Sequence, residues 1–321
     1  MQSFESLRKQ FSDYLDSYTF PDEPAALYGA CRHILSIGGK RIRPVLCLMA
    51  ADAFGTVEKD AMSAAMAFEL FHNFSLVHDD IMDEADIRRG QPTVHVKYSE
   101  PTAILSGDVL NIFTYELLNE LSSKRKKEII SVFNKTAIEV CEGQQMDMDF
   151  EDIVDVKTSD YLKMIELKTS VLLAASLKVG ALLQNGTQAD VEALYNFGRY
   201  VGLAFQIKDD YLDAYGDESV TGKKVGGDII ANKKTIFYCY CTDQDNEKLV
   251  GELLELYNGN SQNKVEDTKR LYDALGAKEY VYKLKEDYSI KAFAELEKIS
   301  LPEENLIELK GLATSLLSRQ F

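Results

Sequence analysis

Proline is scarce in this 321-residue chain: there are six, and none lies between Pro101 and Pro302. That long interval also lacks sustained apolar/polar alternation, which argues against half-buried strands. It is rich in Leu, Ala, Glu and Lys, residues that favour helices. The five cysteines (Cys31, Cys47, Cys141, Cys239, Cys241) form no CxxC pair, and an odd count suits a reducing compartment rather than a disulfide framework. The four histidines lack metal-ligand spacing, which argues against zinc. No apolar run reaches membrane-spanning length, and the opening MQSFESLRKQF is amphipathic and charged with no apolar leader core. The expectation is a soluble, cytoplasmic protein. Positive charge is also in deficit, 36 Lys and Arg against 52 Asp and Glu for a formal charge of −16. That excess of anions argues against nucleic acid as a partner and makes local basic islands informative.

What is present is apolar and helical. Hydrophobic residues make up 45% of the chain, enough for a sizeable core in one large domain or two smaller ones. Periodicity, Gly and Pro place helices near 2–18, 25–37, 43–53, 58–83, 101–121, 125–150, 158–184, 188–215, 228–241, 244–258, 262–298 and 302–319. Loops are expected between Pro92 and Pro101 and over 217–227. Long helices with short connections predict an all-α bundle, whose binding sites are built by facing helices.

One internal echo stands out. DDIMD (Asp79, Asp80, Asp83) and DDYLD (Asp209, Asp210, Asp213) have the same form, and the second begins 130 residues after the first. Each follows a stretch rich in apolar residues and precedes cationic residues and glycine. On a helix, the first and last Asp of each cluster share a face about 6 Å apart along the axis, with the second Asp off to the side. Hard divalent ions such as Mg²⁺ take few carboxylates, keep waters and complete their shell with phosphate oxygens. A single DDxxD is also what a solvated acidic helix face looks like; two copies in matching context favour a Mg²⁺–diphosphate site.

Three basic islands run against the average charge. GGKRIRP carries Lys40, Arg41 and Arg43 after a glycine pair, either a solvated helix start or a loop that wraps an anion with Arg forks and a Lys point charge. Arg88 and Arg89 follow Asp83 by five and six residues, as salt-bridge partners of the aspartates, as diphosphate ligands, or as both. The third is Lys223, Lys224, Lys233 and Lys234. It nearly imitates a P-loop, but five residues rather than four separate Gly216 from Gly222, and Lys224 stands where Ser or Thr is required. A lysine loop closing over a metal–phosphate site is the better reading.

Lys168 and Thr169 interrupt an apolar helix, marking its exposed end or reaching a central anion. His72, two turns before Asp79 on the same face, reads alone as a core histidine. Gln206 precedes Asp209 by three residues, facing a metal-bound oxygen or a neighbouring helix. Phe68, Phe71 and Phe74 form an aromatic stripe below Asp79. It is either core or a pocket wall stepping about 5.4 Å per turn, roughly one isoprene unit.

With these motifs in this order, the chain resembles the trans-isoprenyl diphosphate synthases, over roughly residues 5 to 320. The resemblance implies one isoprenoid-synthase-like domain over 1–321, an all-α bundle around a deep central cavity, and a homodimer. It implies Asp79, Asp83 and Asp209 as Mg²⁺ ligands, with three Mg²⁺ per site and Asp80, Asp210 and Asp213 in support. Asp79, Asp80, Asp83, Lys168, Asp209 and Asp210 become the catalytic set. Lys40, Arg43, His72 and Arg89 match positions that bind isopentenyl diphosphate. Arg88, Lys168, Thr169, Gln206, Lys223 and Lys233 match those that grip the allylic diphosphate (dimethylallyl, geranyl or farnesyl). The uninserted first cluster, with Phe74 five and Ser75 four residues before it, resembles a geranylgeranyl-forming pattern, with farnesyl diphosphate as nearest competitor and Phe71 below as a further block. A terpene cyclase typically replaces the second DDxxD with an asparagine/serine/glutamate motif. A non-catalytic subunit is expected to lose aspartates. Neither loss occurs here.

Overall fold

The computed structural model describes residues 1–217, 225–259 and 261–318, and the chain divides into two compact units. Unit 1 comprises 1–133, 175–191 and 300–308; unit 2 comprises 134–174, 192–299 and 309–321.

Unit 1 opens with α1 (Phe4–Ser17), capped by the Ser3 hydroxyl accepting from Ser6 N at 3.2 Å. Next come α2 (Ala25–Ser36), α3 (Ile42–Phe54) and α4 (Lys59–Met82). Residues of α3 from Pro44 to Ala51 are buried without interruption, as are those of α4 from Ser63 to Phe71. Helices apolar on all sides are core helices, and these two hold the centre of the unit. After α4, the strands β1 (Ile87–Arg88) and β2 (Gln91–Pro92) form an antiparallel hairpin with Arg88 opposite Gln91. The loop expected between Pro92 and Pro101 instead contains a short helix, α5 (Val94–Lys97). It leads to α6 (Glu100–Asn119), started by the Ser99 cap and Pro101 and packed along α4.

Next, α7 (Lys126–Asp152) runs from unit 1 into unit 2. The segment expected as one helix over 158–184 is α8 (Thr158–Ile165), a π-helical turn (Glu166–Ser170) and α9 (Val171–Leu183). After α10 (Gln188–Tyr215), the expected 228–241 helix is two pieces, α11 (Gly227–Ile230) and α12 (Ile236–Thr242), parted where Asn232 takes a left-handed conformation. Then follow α13 (Glu247–Asn258), α14 (Lys264–Ala274) and α15 (Ala277–Leu296). The last two replace one expected helix over 262–298. Gly276, at φ 73°, ends α14 in the left-handed conformation that glycine adopts without strain. Helix α16 (Ile307–Ser318) closes the described chain. The core of unit 2 is aromatic: Phe237 stacks on Tyr272 with centroids 5.2 Å apart, and the Tyr257 and Tyr272 hydroxyls share a 2.6 Å hydrogen bond. Among the described residues the fold is all-α apart from the two-residue strands.

Candidate functional site

In unit 1 the first aspartate cluster divides as the helical wheel predicts. Asp80 turns inward and is 2% exposed. Arg88 grips it, with Nε donating to Oδ1 at 2.8 Å and Oδ2 at 2.9 Å, and Nη2 lying 2.7 Å from Oδ1. The same guanidinium reaches Asp79 Oδ2 at 3.4 Å. Asp79 is half-buried and Asp83 exposed, held one turn apart by the Asp83 N to Asp79 O bond at 2.9 Å. Of the roles expected of Arg88, the salt bridge to the aspartates is present.

The hairpin sets this geometry. Arg89 (φ 52°) and Gly90 (φ 77°) form its two-residue turn, both in the positive-φ conformation of a type I′ hairpin. Pro92 O is anchored by buried His33. Lys97 Nζ can only donate, so it occupies His33 Nδ1 at 3.0 Å, which leaves Nε2–H to donate to Pro92 O at 2.8 Å. Arg89 in turn donates to Gly38 O, tying the hairpin to the loop before α3.

The cations of GGKRIRP part company. Gly38 and Gly39 have positive φ, and Arg41 caps α3 in a left-handed conformation. Lys40 is exposed. Arg41 is half-buried, its side chain 9% exposed, paired with Glu69 and donating to Leu35 O at 2.6 Å. Arg43 Nη1 donates to His72 Nε2 at 3.1 Å, so the His72 proton sits on Nδ1. Arg43 Nε is buried with no hydrogen-bond partner. Burial and the neighbouring Arg89 bring the Arg43 pKa down to about 10, against the opposing pull of Glu69. Burial, then the charges of Arg43, Arg89, Arg88 and Arg41, hold His72 well below the usual histidine range. A neutral imidazole amid guanidinium groups, one with an unsatisfied donor, is chemically suited to a multiply charged anion.

In unit 2 the second cluster divides the same way. Asp210 is 5% exposed and accepts from Tyr161 OH at 2.5 Å, Ile236 N at 3.3 Å and Gln206 Nε2 at 3.4 Å. Burial pushes its pKa up to about 7, with the Tyr161 hydrogen bond as the largest opposing influence. Asp209 is exposed, and Asp213 Oδ1 accepts from Asp228 N at 2.9 Å at the start of α11. Lys168 and Thr169 lie on the π-helical turn, both half-buried, and Lys168 Nζ donates to Asp147 Oδ2 at 2.6 Å. Lys233 is exposed. Lys234 instead donates to Phe150 O and Glu151 O, at 2.6 and 2.7 Å, closing the C-terminal end of α7. Lys223 and Lys224 lie outside the described residues.

The polyprenyl synthetase family model matches residues 24–275. The chain belongs to the polyprenyl synthetase family. It is 39% identical over 294 residues to the short chain isoprenyl diphosphate synthase of Methanothermobacter thermautotrophicus, covering 91% of this chain and 88% of that protein. It is 40% identical over 304 residues to the geranylgeranyl diphosphate synthase of Methanosarcina mazei, covering 93% and 91%. A crystal structure of a geranylgeranyl pyrophosphate synthase superposes with a TM-score of 0.92 at 41% identity, covering all of both chains.

The aromatic stripe on α4 divides by depth. Phe68 and Phe71 are fully buried against Phe133, with ring centroids 5.7 and 5.2 Å away. Phe74 is only half-buried and touches Phe71 at 5.4 Å and His78 at 4.9 Å. Of the three rings, Phe74 alone retains substantial exposed surface. Ser75 donates to His72 O at 2.8 Å, so its hydroxyl serves the helix. In unit 1, Asp79 and Asp83 supply hard carboxylate oxygens one turn apart that remain at least partly accessible, and in unit 2 Asp209 is an exposed carboxylate. These are donors of the kind Mg²⁺ takes, although no group of three or more His, Cys, Asp or Glu able to hold a metal ion is gathered among the described residues. The sequence reading passed over two residues that hold candidate site side chains, Tyr161 at Asp210 and Asp147 at Lys168.

Proposed function

We propose that this prenyltransferase is a short-chain trans-isoprenyl diphosphate synthase that joins isopentenyl diphosphate head-to-tail to an allylic diphosphate. The observation that carries this reading is the shared division of both DDxxD clusters. In each, the second carboxylate is anchored to the protein fabric while the first stays accessible. We assign Asp79, Asp83 and Asp209 as ligands for Mg²⁺, three ions per site, supported by Asp80, Asp210 and Asp213. When bound, Mg²⁺ neutralises the diphosphate and eases its departure as a leaving group.

The chain's own residues do the rest. Lys40, Arg43, His72 and Arg89 hold the diphosphate of isopentenyl diphosphate, with Arg43 Nε supplying a donor. Lys168, Thr169, Gln206, Lys233 and Arg88 grip the allylic diphosphate, joined by Lys223. As the allylic C–O bond breaks, negative charge grows on the departing diphosphate, and positioned cations stabilise it. Apolar walls keep water from the allylic carbocation. The isopentenyl double bond, fixed in attack geometry, forms the new C–C bond. The proton then lost goes to the departed pyrophosphate, and no protein nucleophile takes part. Phe74 sets the floor of the chain-length pocket, with Phe71 beneath it and Ser75 beside it. The product is geranylgeranyl diphosphate, with farnesyl diphosphate as nearest alternative.

We read residues 1–321 as one functional domain acting as a homodimer. Support for the dimer is the apolar stripe on α6, where Ile104, Leu105, Ile112 and Tyr115 are 41, 58, 58 and 38% exposed on one face. No helix among the described residues is long and apolar enough to cross a membrane. Free cysteines support a reducing, cytoplasmic setting. The test is to incubate the protein with Mg²⁺, isopentenyl diphosphate and each of dimethylallyl, geranyl and farnesyl diphosphate, then size the products. Absence of Mg²⁺-dependent condensation with every primer refutes the proposal.

A further inference from the structure

Lys168 sits where the backbone leaves regular helix. The Glu166–Ser170 turn is π-helical, a conformation that recurs at functional sites, and α7 is shaped to meet it. A Cβ on Gly143 of α7 would lie 2.3 Å from Lys168 N and 2.8 Å from Lys168 Cα, so only glycine lets α7 run against the turn. Gly202 of α10 does the same on another side, where a Cβ would lie 2.6 Å from Ser170 Cα. One helical turn beyond Gly143, on the same face of α7, Asp147 accepts from Lys168 Nζ at 2.6 Å. Backbone and ammonium of Lys168 are thus both fixed by one face of one helix.

Stability alone does not account for this pair. Side-chain exposures of 28% for Lys168 and 40% for Asp147 place it among partly exposed ion pairs, which contribute little to folding. Geometry accounts for it better. A lysine stem is long and rotamer-rich, and an ammonium has three N–H donors, so one ammonium can be held by a carboxylate and still serve a phosphate.

We propose that Asp147 is a positioning residue, which with the Gly143 contact aims the Lys168 ammonium at the allylic diphosphate. The inference rests on the reading of Lys168 as a diphosphate ligand. Asp147 belongs to neither DDxxD cluster and touches no reacting atom; it acts through Lys168 by pre-organising it.

The test compares Asp147→Ala, Asp147→Asn and Lys168→Ala with the Asp147→Ala/Lys168→Ala double variant. KM is measured separately for farnesyl and isopentenyl diphosphate, and inorganic pyrophosphate binding is followed by calorimetry. Asp147→Ala is expected to raise the farnesyl diphosphate KM about tenfold and weaken pyrophosphate binding, with the isopentenyl KM within about twofold of wild type. Asp147→Asn, whose amide oxygen still accepts from the ammonium, recovers part of the loss. In the Lys168→Ala background the second substitution adds nothing, since its target is gone. An unchanged farnesyl KM overturns the proposal. So does an equal rise for both substrates, or an undiminished effect without Lys168. Wild-type protein that makes no prenyl product strikes the underlying synthase reading instead.

Discussion

Arg41 lies between two cations assigned to an anion, yet its removal is expected to cost stability rather than substrate affinity. Its side chain is 9% exposed and that of its partner Glu69 is 4%. Breaking a buried pair by deleting one partner leaves the other charge uncompensated, at a cost of about 3–5 kcal/mol. Two details place Arg41→Ala near the lower end. Glu69 Oε1 keeps a 3.0 Å bond from Asn73 Nδ2, and the left-handed backbone at position 41 burdens alanine as it does arginine, so that strain cancels. A third works the other way, because Leu35 O loses its 2.6 Å donor. The net expectation is a loss of about 3 kcal/mol, read as a fall in the urea midpoint at constant slope. Replacing both partners with apolar residues, Arg41→Met with Glu69→Leu, should restore most of it, since the buried charges leave together. Arg41→Ala with an unchanged midpoint and a sharply raised KM for isopentenyl diphosphate would refute the division of labour within GGKRIRP.

Phe74→Ala removes the half-buried ring above Phe71 and opens one helical turn, about 5.4 Å, so products should lengthen by about one isoprene unit. Chromatography showing unchanged product length eliminates Phe74 as the floor. His72 is held well below its usual pKa, first by burial and then by four arginines, so the folded chain keeps it neutral while the unfolded chain protonates it below about pH 6.5. That stabilisation is present above pH 6.5 and is lost as pH falls toward the depressed folded pKa. His72→Gln should therefore flatten the stability–pH curve between about pH 5 and 6.5, by at most about 1.4 kcal/mol per pH unit. Parallel curves for wild type and variant count against the assignment. Tyr161→Phe removes the 2.5 Å donor from buried Asp210 and should cost about 1–3 kcal/mol in thermal denaturation. A loss too small to measure means the phenol is not what anchors that carboxylate.

The all-α fold and the placing of Asp80 and Asp210 off the face shared by the outer aspartates were legible because helical periodicity is a local property of the chain; that this side is the buried one was not. Nor was the hairpin at 87–92. Its strands have two residues each, too short for alternation to show, and its turn is Arg-Gly rather than the stronger Asn-Gly or Asp-Gly signal. The break at Gly276 had a readable sign, a glycine in the C-terminal position of a helix, but helix-favouring residues continue on both sides of it. The π-helical turn at Lys168 has no sequence signature of its own; it depends on helices that come close only where Gly143 and Gly202 lack a Cβ. Asp147 escaped notice for a related reason. In GQQMDMD it looks like part of a solvated acidic face, and only the fold shows Lys168 beside it.

The anchors beneath the two clusters differ, and that difference carries mechanism. Asp80 is gripped by a guanidinium that also touches Asp79, so the first cluster comes with its own cation. Arg88 can therefore move between the aspartates and a diphosphate, and its charge is shared with whatever binds there. Asp210 is held by neutral donors, a phenol, a backbone N–H and an amide. Those donors fix the carboxylate without neutralising it, and burial has already driven its pKa up. The sequence repeats one motif, but among the described residues the protein anchors the two buried carboxylates with different chemistry, a cation in one and neutral donors in the other. In unit 1 the cluster is partly discharged before any ligand arrives. In unit 2 Lys168 lies on a separate turn, the π-helical one, with its own carboxylate, Asp147. An exchange of anchors, Arg88→Gln against Tyr161→Phe, should thus be unequal. The first alters the charge at the site and should raise the Mg²⁺ concentration needed for half-maximal rate, whereas the second should leave that requirement nearly unchanged and register as lost stability. Equal shifts in Mg²⁺ requirement would mean that the two clusters are electrostatically equivalent after all.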